Sequence, residues 1–242
     1  MAGTAAERQE TGVVDNINKV SRAGPITIRS KNGTKVNKVL RAFKYEGRQI
    51  TGSEPYIDVI FEQKFKNSVK NIGLSLKGES APSLAGGGLR GINLAVPGLA
   101  DKFMAAALNA LQENGYEEGD KIPDVYGEIR GRNKTKIVIG NRLMGGPIDF
   151  MYIGPMNVQA NYDKRKNILQ LNGNIIDAER YARTHKLYFR LRARRHDQRF
   201  DPASFDNRGI PKVYSKSRSK GDSSGRITVT DKVPSTGLLI RI

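Results

Sequence analysis

Asp58 and Lys77 are the residues whose types and setting point most directly to chemistry. Asp58 lies in Glu54-Pro55-Tyr56-Ile57-Asp58-Val59-Ile60-Phe61, and Lys77 closes Leu74-Ser75-Leu76-Lys77. The stretches 56–61 and 71–77 read as strands joined by a polar Lys/Asn turn. Paired as a hairpin, they bring Asp58 and Lys77 to the same strand end. Phosphodiester hydrolysis needs carboxylates to hold a divalent cation, which stabilises charge on the transferring phosphate. It also needs a cation to orient the attacking water or screen its developing hydroxide. A lysine one strand away can supply that.

The elements around this pair are expected as follows. Residues 4–22 read as a short polar helix, broken at Ala23-Gly24-Pro25. Segments 25–28 and 35–40 flank Lys31-Asn32-Gly33, where Asn-Gly signals a hairpin. A glycine-rich loop, Gly86–Gly91, precedes the clearest helix, 99–114, whose face carries Leu99, Phe103, Ala107, Leu108 and Leu111. That helix is expected to pack on the sheet of 56–61 and 71–77 through Phe103, Ala107 and Leu111. Beyond 122 the pattern turns β-rich, with strands expected at 136–139, 150–153 and 167–171. A short helix over 174–184 and an alternating strand, 187–194, follow. Then come a long polar loop, 201–225, and final strands at 226–230 and 238–242.

The 242 residues include neither cysteine nor tryptophan, and the 41 Lys+Arg against 24 Asp+Glu give a net charge of +17. Without cysteine there are no disulfides, thiolate zinc sites or thiol nucleophiles. Two histidines, His185 and His196, exclude a His-rich metal site, and no Ser-His-acid order suggests a triad. At 38% hydrophobic the chain can build a core. No internal repeat or sharp composition break divides it, so one domain over 1–242 is expected: a core of about 5–115 and a basic, β-rich extension of about 120–242. Apolar runs fall short of the ~20 residues that span a bilayer. The start, MAGTAAERQE, has no apolar signal region. The expectation is an intracellular protein, in the host cytoplasm if viral; the lysine- and glycine-rich style suits a phage or bacterial source.

The positive charge is clustered. Lys186, Arg190, Arg192, Arg194, Arg195 and Arg199 face only Asp197 locally; Lys212, Lys216, Arg218, Lys220 and Arg226 face only Asp222. A third cluster is Arg130, Arg132, Lys134, Lys136 and Arg142. Arginines alternating along a strand would meet phosphates at regular spacing, which favours a polyanionic partner, double-stranded DNA above all. Tyr188 and Tyr214 stand among them as candidates for stacking on bases. Arg90 and the glycines around it could approach a phosphate, although no Gly-Lys-Ser/Thr ending makes this a P-loop.

The order Pro55-x-x-Asp58 followed by Ser75-Leu76-Lys77 resembles the PD-(D/E)XK, or restriction-endonuclease-like, nuclease superfamily over roughly residues 5–115. That resemblance implies an α/β (α+β) fold, a mixed β-sheet flanked by helices. It also implies Mg²⁺ (or Mn²⁺) as cofactor and DNA as substrate. Asp58 would hold the metal and Lys77 would act on water. An acid from the upstream helix would join them, with Glu10 the candidate and Asp15 behind it. The departure is Ser75, which stands where the superfamily carries Asp or Glu. Another acid, Glu79 or Glu62, enters the site, or fewer carboxylates hold the metal, or catalysis has been lost. A literal Glu62-Gln63-Lys64 follows Asp58 too closely to lie on a separate strand. Asp149, after Gly145-Gly146-Pro147, is either a turn residue or a further carboxylate of the site. The expectation is a Mg²⁺-dependent DNA endonuclease. A non-catalytic nucleic-acid-binding or virion structural protein is the rival reading, and a ribosome-associated protein a third.

Overall fold

The structure is a computed structural model that describes residues 4–50, 54–79, 84, 88–117, 120–192, 198–205, 211–215, 226–233 and 235–242; residues 192, 198–205, 211–215 and 226 are described by backbone alone. The elements run α1 (Ala5–Ser21), β1 (Ile26–Arg29), β2 (Lys35–Lys44), β3 (Val59–Phe65), β4 (Ser68–Gly78), α2 (Gly88–Ala95) and α3 (Leu99–Glu113). They continue with β5 (Val125–Ile129), α4 (Arg132–Ile139), β6 (Phe150–Gly154), β7 (Ala160–Asp163), β8 (Ile168–Leu171), β9 (Asn174–Asp177) and α5 (Ala178–Thr184). Last come β10 (Leu187–Arg192), β11 (Gln198–Phe205), β12 (Pro211–Ser215), β13 (Arg226–Thr230) and β14 (Leu238–Ile240). Two compact units interleave along the chain: Met1–Pro82 with Val138–Thr184, and Ser83–Ile137 with His185–Ile242. No helix among the described residues is long and apolar enough to cross a membrane.

The first unit is a curled, mixed eight-stranded sheet in the order β7-β8-β1-β2-β3-β4-β6-β9. Strands β1 to β4 form an antiparallel meander, and β6 joins β4 in parallel. The expected Asn-Gly turn closes β1–β2, with Gly33 at φ +84°, where a side chain would be strained. Thr4 caps α1, its hydroxyl accepting from Glu7 N–H at 3.2 Å while the Glu7 carboxylate accepts from Thr4 N–H. Val13 and Ile17 then point, fully buried, into a core shared with Ile28, Val39, Phe61 and Leu74. Burying each aliphatic side chain contributes about 1.5–3 kcal/mol. Truncating Ile17 to Ala is expected to destabilise this unit by about 2–5 kcal/mol, measured by denaturant titration.

The second unit has a four-stranded sheet, β13-β10-β5-β14, and a β11–β12 hairpin. Helix α3 packs on the sheet through Phe103, Ala107 and Leu111, all fully buried. The Phe103 ring lies 5.2 Å from that of Phe189 on β10. Gly127 on β5 permits this approach, since a Cβ there would come within 2.8 Å of the Phe103 ring.

Mixed α/β architecture with helices flanking a mixed sheet agrees with expectation, but several assignments need correction. The apolar stripe of α3, expected to meet the β3–β4 strands, is covered by β5, β10 and β14, strands that come later in the chain. Residues 136–139 are helical. Their β-branched run is bracketed by the left-handed Gly131 and Gly140, which confine it to one short helix, α4. The expected helix over 174–184 begins as strand β9. It turns helical only after Asp177, whose carboxylate accepts from Arg180 N–H at 2.7 Å. Of the expected glycine-rich loop, Gly88–Gly91 open helix α2, and 86–87 lie outside the described residues; within the expected loop 201–225, residues 201–205 and 211–215 pair as parts of β11 and β12.

Candidate active site

Asp58 sits immediately before β3, pinned by its backbone. Its N–H donates to Leu74 O at 2.8 Å and its carbonyl accepts from Tyr45 N–H at 3.0 Å. The side chain faces the last residues of β4. One carboxylate oxygen, Oδ2, accepts from Leu76 N–H at 2.6 Å and from the Ser75 hydroxyl at 3.1 Å. The other, Oδ1, makes no hydrogen bond among the described residues. Burial pushes the Asp58 carboxyl above its ordinary value, against the pull of the Lys77 ammonium and of those two hydrogen bonds; Glu54 adds a repulsive charge.

Glu10 reaches this site from the second turn of α1. Its carboxyl is also raised, first by burial and next by the charge of Asp58, with the Lys44 ammonium opposing both. The Lys44 Nζ lies 3.7 Å from Glu10 Oε2. Helix α1 is held in place by the residue before Glu10. Gln9 is 2% exposed, and its amide donates to Gly154 O at 2.9 Å and Lys77 O at 3.2 Å, the latter carbonyl belonging to the candidate lysine. The Asp58 carboxyl thus lies against the Ser75 hydroxyl and Leu76 N–H, and the Lys77 ammonium acts on it, and it on the Glu10 carboxyl, through charge. Lys44 and Gln9 escaped sequence reasoning. Lys44 stands at a strand end with nothing in its spacing to mark it, and Gln9 is an ordinary helix residue until its carbonyl partners are known.

Other candidates lie elsewhere. Glu62 is held by Arg41, with Nε–Oε2 at 2.5 Å and Nη2–Oε1 at 2.8 Å, and this pairing lowers its carboxyl. Glu79 is exposed beyond the end of β4, and its charge acts on the Tyr152 hydroxyl, which burial and Glu79 together push up to about 12. Asp15 is exposed on α1. Asp149 accepts from Gly73 N–H at 2.8 Å, with Lys70 Nζ 3.9 Å away, and so ties β6 to β4 at the end opposite Lys77.

In the second unit, Arg190 is turned toward its own fold. Its guanidinium pairs with Asp124 and lies 5.8 Å from the Tyr126 ring centroid. Arg190, expected among the nucleic-acid contacts, is thus engaged by an acid distant in sequence, which the local charge pattern did not show. Phe189 and Leu191 are buried, as the alternation requires. Arg90 is exposed on α2. The side chains of Arg192, Lys212 and Arg226 lie outside the described residues, as do Arg194, Arg195, His196, Lys216, Arg218 and Lys220 altogether.

Two carboxyls raised chiefly by burial are more protonated in the folded chain than in the unfolded one, over the window between their ordinary and raised values. Stability contributed by these groups is full at low pH and is lost as pH rises through that window. Asp58→Asn is therefore expected to gain thermal stability relative to the wild type as pH rises from the ordinary carboxylate range toward neutrality. Scanning calorimetry of both proteins across that pH range checks this.

Compared with known proteins, the chain matches no family model, no curated protein and no solved structure.

Proposed function

We propose that this chain is a divalent-metal-dependent nuclease of restriction-endonuclease-like fold that hydrolyses phosphodiester bonds in DNA. The observation that carries the reading is the Asp58 carboxylate, just before β3, seated against Ser75 and Leu76 of β4 beside Lys77, with Glu10 of α1 within reach of its charge. The family resemblance is supported by α1 preceding an antiparallel meander, and by β6 adding in parallel to the strand that carries Lys77.

The donor set suits a hard, partly hydrated cation. Mg²⁺ is commonly held by one or two carboxylates, with waters and substrate phosphate completing its shell. Asp58 Oδ1 and the Glu10 carboxylate would supply those ligands. The ion would stabilise negative charge on the phosphate. Ser75 donates to Oδ2 and leaves Oδ1 without a hydrogen-bond partner among the described residues, orienting Asp58 rather than adding a charge of its own. Lys77 orients the attacking water or screens the hydroxide developing on it. Lys44 pairs with Glu10 and helps to position its carboxylate. DNA with Mg²⁺ or Mn²⁺ should be cleaved in plasmid and oligonucleotide assays, and EDTA should stop the reaction.

A second reading is non-catalytic nucleic-acid binding by a basic protein of the same fold, and one feature favours it. Among the described residues no group of three or more His, Asp or Glu is arranged to hold a metal, and a serine stands at the position of the superfamily's second acid. DNA binding with no metal-dependent cleavage of any substrate form would select it.

A further inference from the structure

In the first unit, away from Asp58, the sheet edge carries an open cavity of about 420 Å³. Its polar walls are Lys31, Gln159, Asn161, Gln170 and Asn172. Asn161 and Gln170 stand directly opposite each other on β7 and β8, Gln170 opposite Arg29 on β1, and Arg29 opposite Lys35 on β2. Residues so paired share one face of a sheet, about 4.8 Å apart from strand to strand. The face opposite the core therefore bears a row of two amides followed by two cations, with Lys31 beyond the end of β1.

These groups are available. Arg29, Lys31 and Lys35 are exposed and have no ion-pair partner among the described residues, and the side-chain amides of Asn161 and Gln159 have no hydrogen-bond partner there. Gln170 makes only a 3.3 Å contact from its amide to Leu171 O, which leaves its oxygen open. Asn172 is the rigid wall, its Oδ1 accepting from the Tyr152 hydroxyl and from Gln159 N–H, both at 3.1 Å. The nearest acid along β7, Asp163, is engaged by Arg165 N–H, Lys166 N–H and the Lys166 ammonium.

Carboxamides offer a donor and an acceptor side by side, which matches the edge of a nucleobase, and cations at strand spacing match a phosphate backbone. A cavity of this size falls within the range of small-molecule sites, whereas the stacked, paired bases of a duplex could not enter it. We propose that this face is a second DNA-binding site that holds an unpaired nucleotide: Asn161, Gln170 and Gln159 contact the base edge, and Arg29, Lys31 and Lys35 contact the adjoining phosphates. This rests on the DNA reading of the protein but not on the Asp58 site.

The test compares a blunt DNA duplex with the same duplex bearing a short single-stranded overhang, by fluorescence anisotropy over a salt series. The full-length wild type should bind the overhang form more tightly. Asn161→Ala/Gln170→Ala should lower affinity for that form about ten-fold and abolish the preference, with the salt slope unchanged. Arg29→Glu/Lys31→Glu/Lys35→Glu should reduce the slope of log K against log salt by about 2 on the overhang. All substituted residues sit on the surface, and equal melting temperatures would show that the variants fold. An unchanged preference in the amide variant, or an unchanged slope in the charge variant, overturns the second site. With DNA binding and cleavage otherwise intact, that failure leaves the proposed nuclease standing. A wild type that binds no DNA at low salt removes both.

Discussion

Asp58→Asn is expected to abolish metal-dependent cleavage while leaving DNA affinity equal or slightly higher. The substitution is nearly isosteric, and the asparagine carbonyl can still accept from Leu76 N–H, so the end of β3 should keep its place against β4. On the proposed reading, what is lost is an anionic metal ligand in a site where Ser75 supplies no second one from the neighbouring strand. Glu10 alone, already paired with Lys44, would retain a divalent ion weakly. Affinity for phosphate should not suffer, because a negative charge facing the backbone has been removed. The measurement is single-turnover cleavage beside equilibrium binding of the same oligonucleotide. Residual cleavage near the wild-type rate would place the metal elsewhere.

Lys77→Ala should cut the cleavage rate by about 10²–10⁴-fold with little change in DNA binding, the usual size of a proton-transfer or water-orienting contribution. The Lys77 ammonium also helps to keep Asp58 ionised, so its removal should raise the Asp58 carboxyl further. The variant's pH–rate profile should therefore shift its acidic limb to higher pH, which a purely structural role for the lysine would not do. Comparison with Gln9→Ala separates orientation from chemistry. The Gln9 amide bonds the backbone carbonyl of Lys77 and does not touch its ammonium. That variant should lose rate and stability together, without moving the limb.

The parts of the molecule legible in the sequence are those governed by local rules. The polar helix at 4–22, the Asn-Gly hairpin and the paired strands around Lys66-Asn67 follow from caps, turn residues and alternation, and they carry Glu10, Asp58 and Lys77. What escaped depends on partners remote in sequence. Arg190 read as a free charge because Asp124 lies in a different segment, and α3 read as the cover of the nearest sheet because its stripe fits any apolar face of similar width. The strand expected at 136–139 failed because β-branched composition is a weaker constraint than left-handed glycines at both ends. Lys44 and Gln9 could be found only once the strand ends had been brought together.

The interleaving of the two units bears on how the chain is made. Strand β4, which carries Ser75 and Lys77, pairs with β3 on one side and with β6 on the other, and β6 begins only at Phe150. Between them the ribosome must deliver Ser83–Ile137, all of it belonging to the second unit, whose own sheet waits for β10 and β13. At synthesis rates of about 5–20 residues per second, the β4 edge stands open for several seconds. An unpaired apolar edge is a template for pairing with other chains. Nascent chains stalled between the two strands should therefore be the most aggregation-prone and chaperone-dependent form of this protein, and a substitution that slows release of β6 would lower the yield of folded protein without touching Asp58, Glu10 or Lys77.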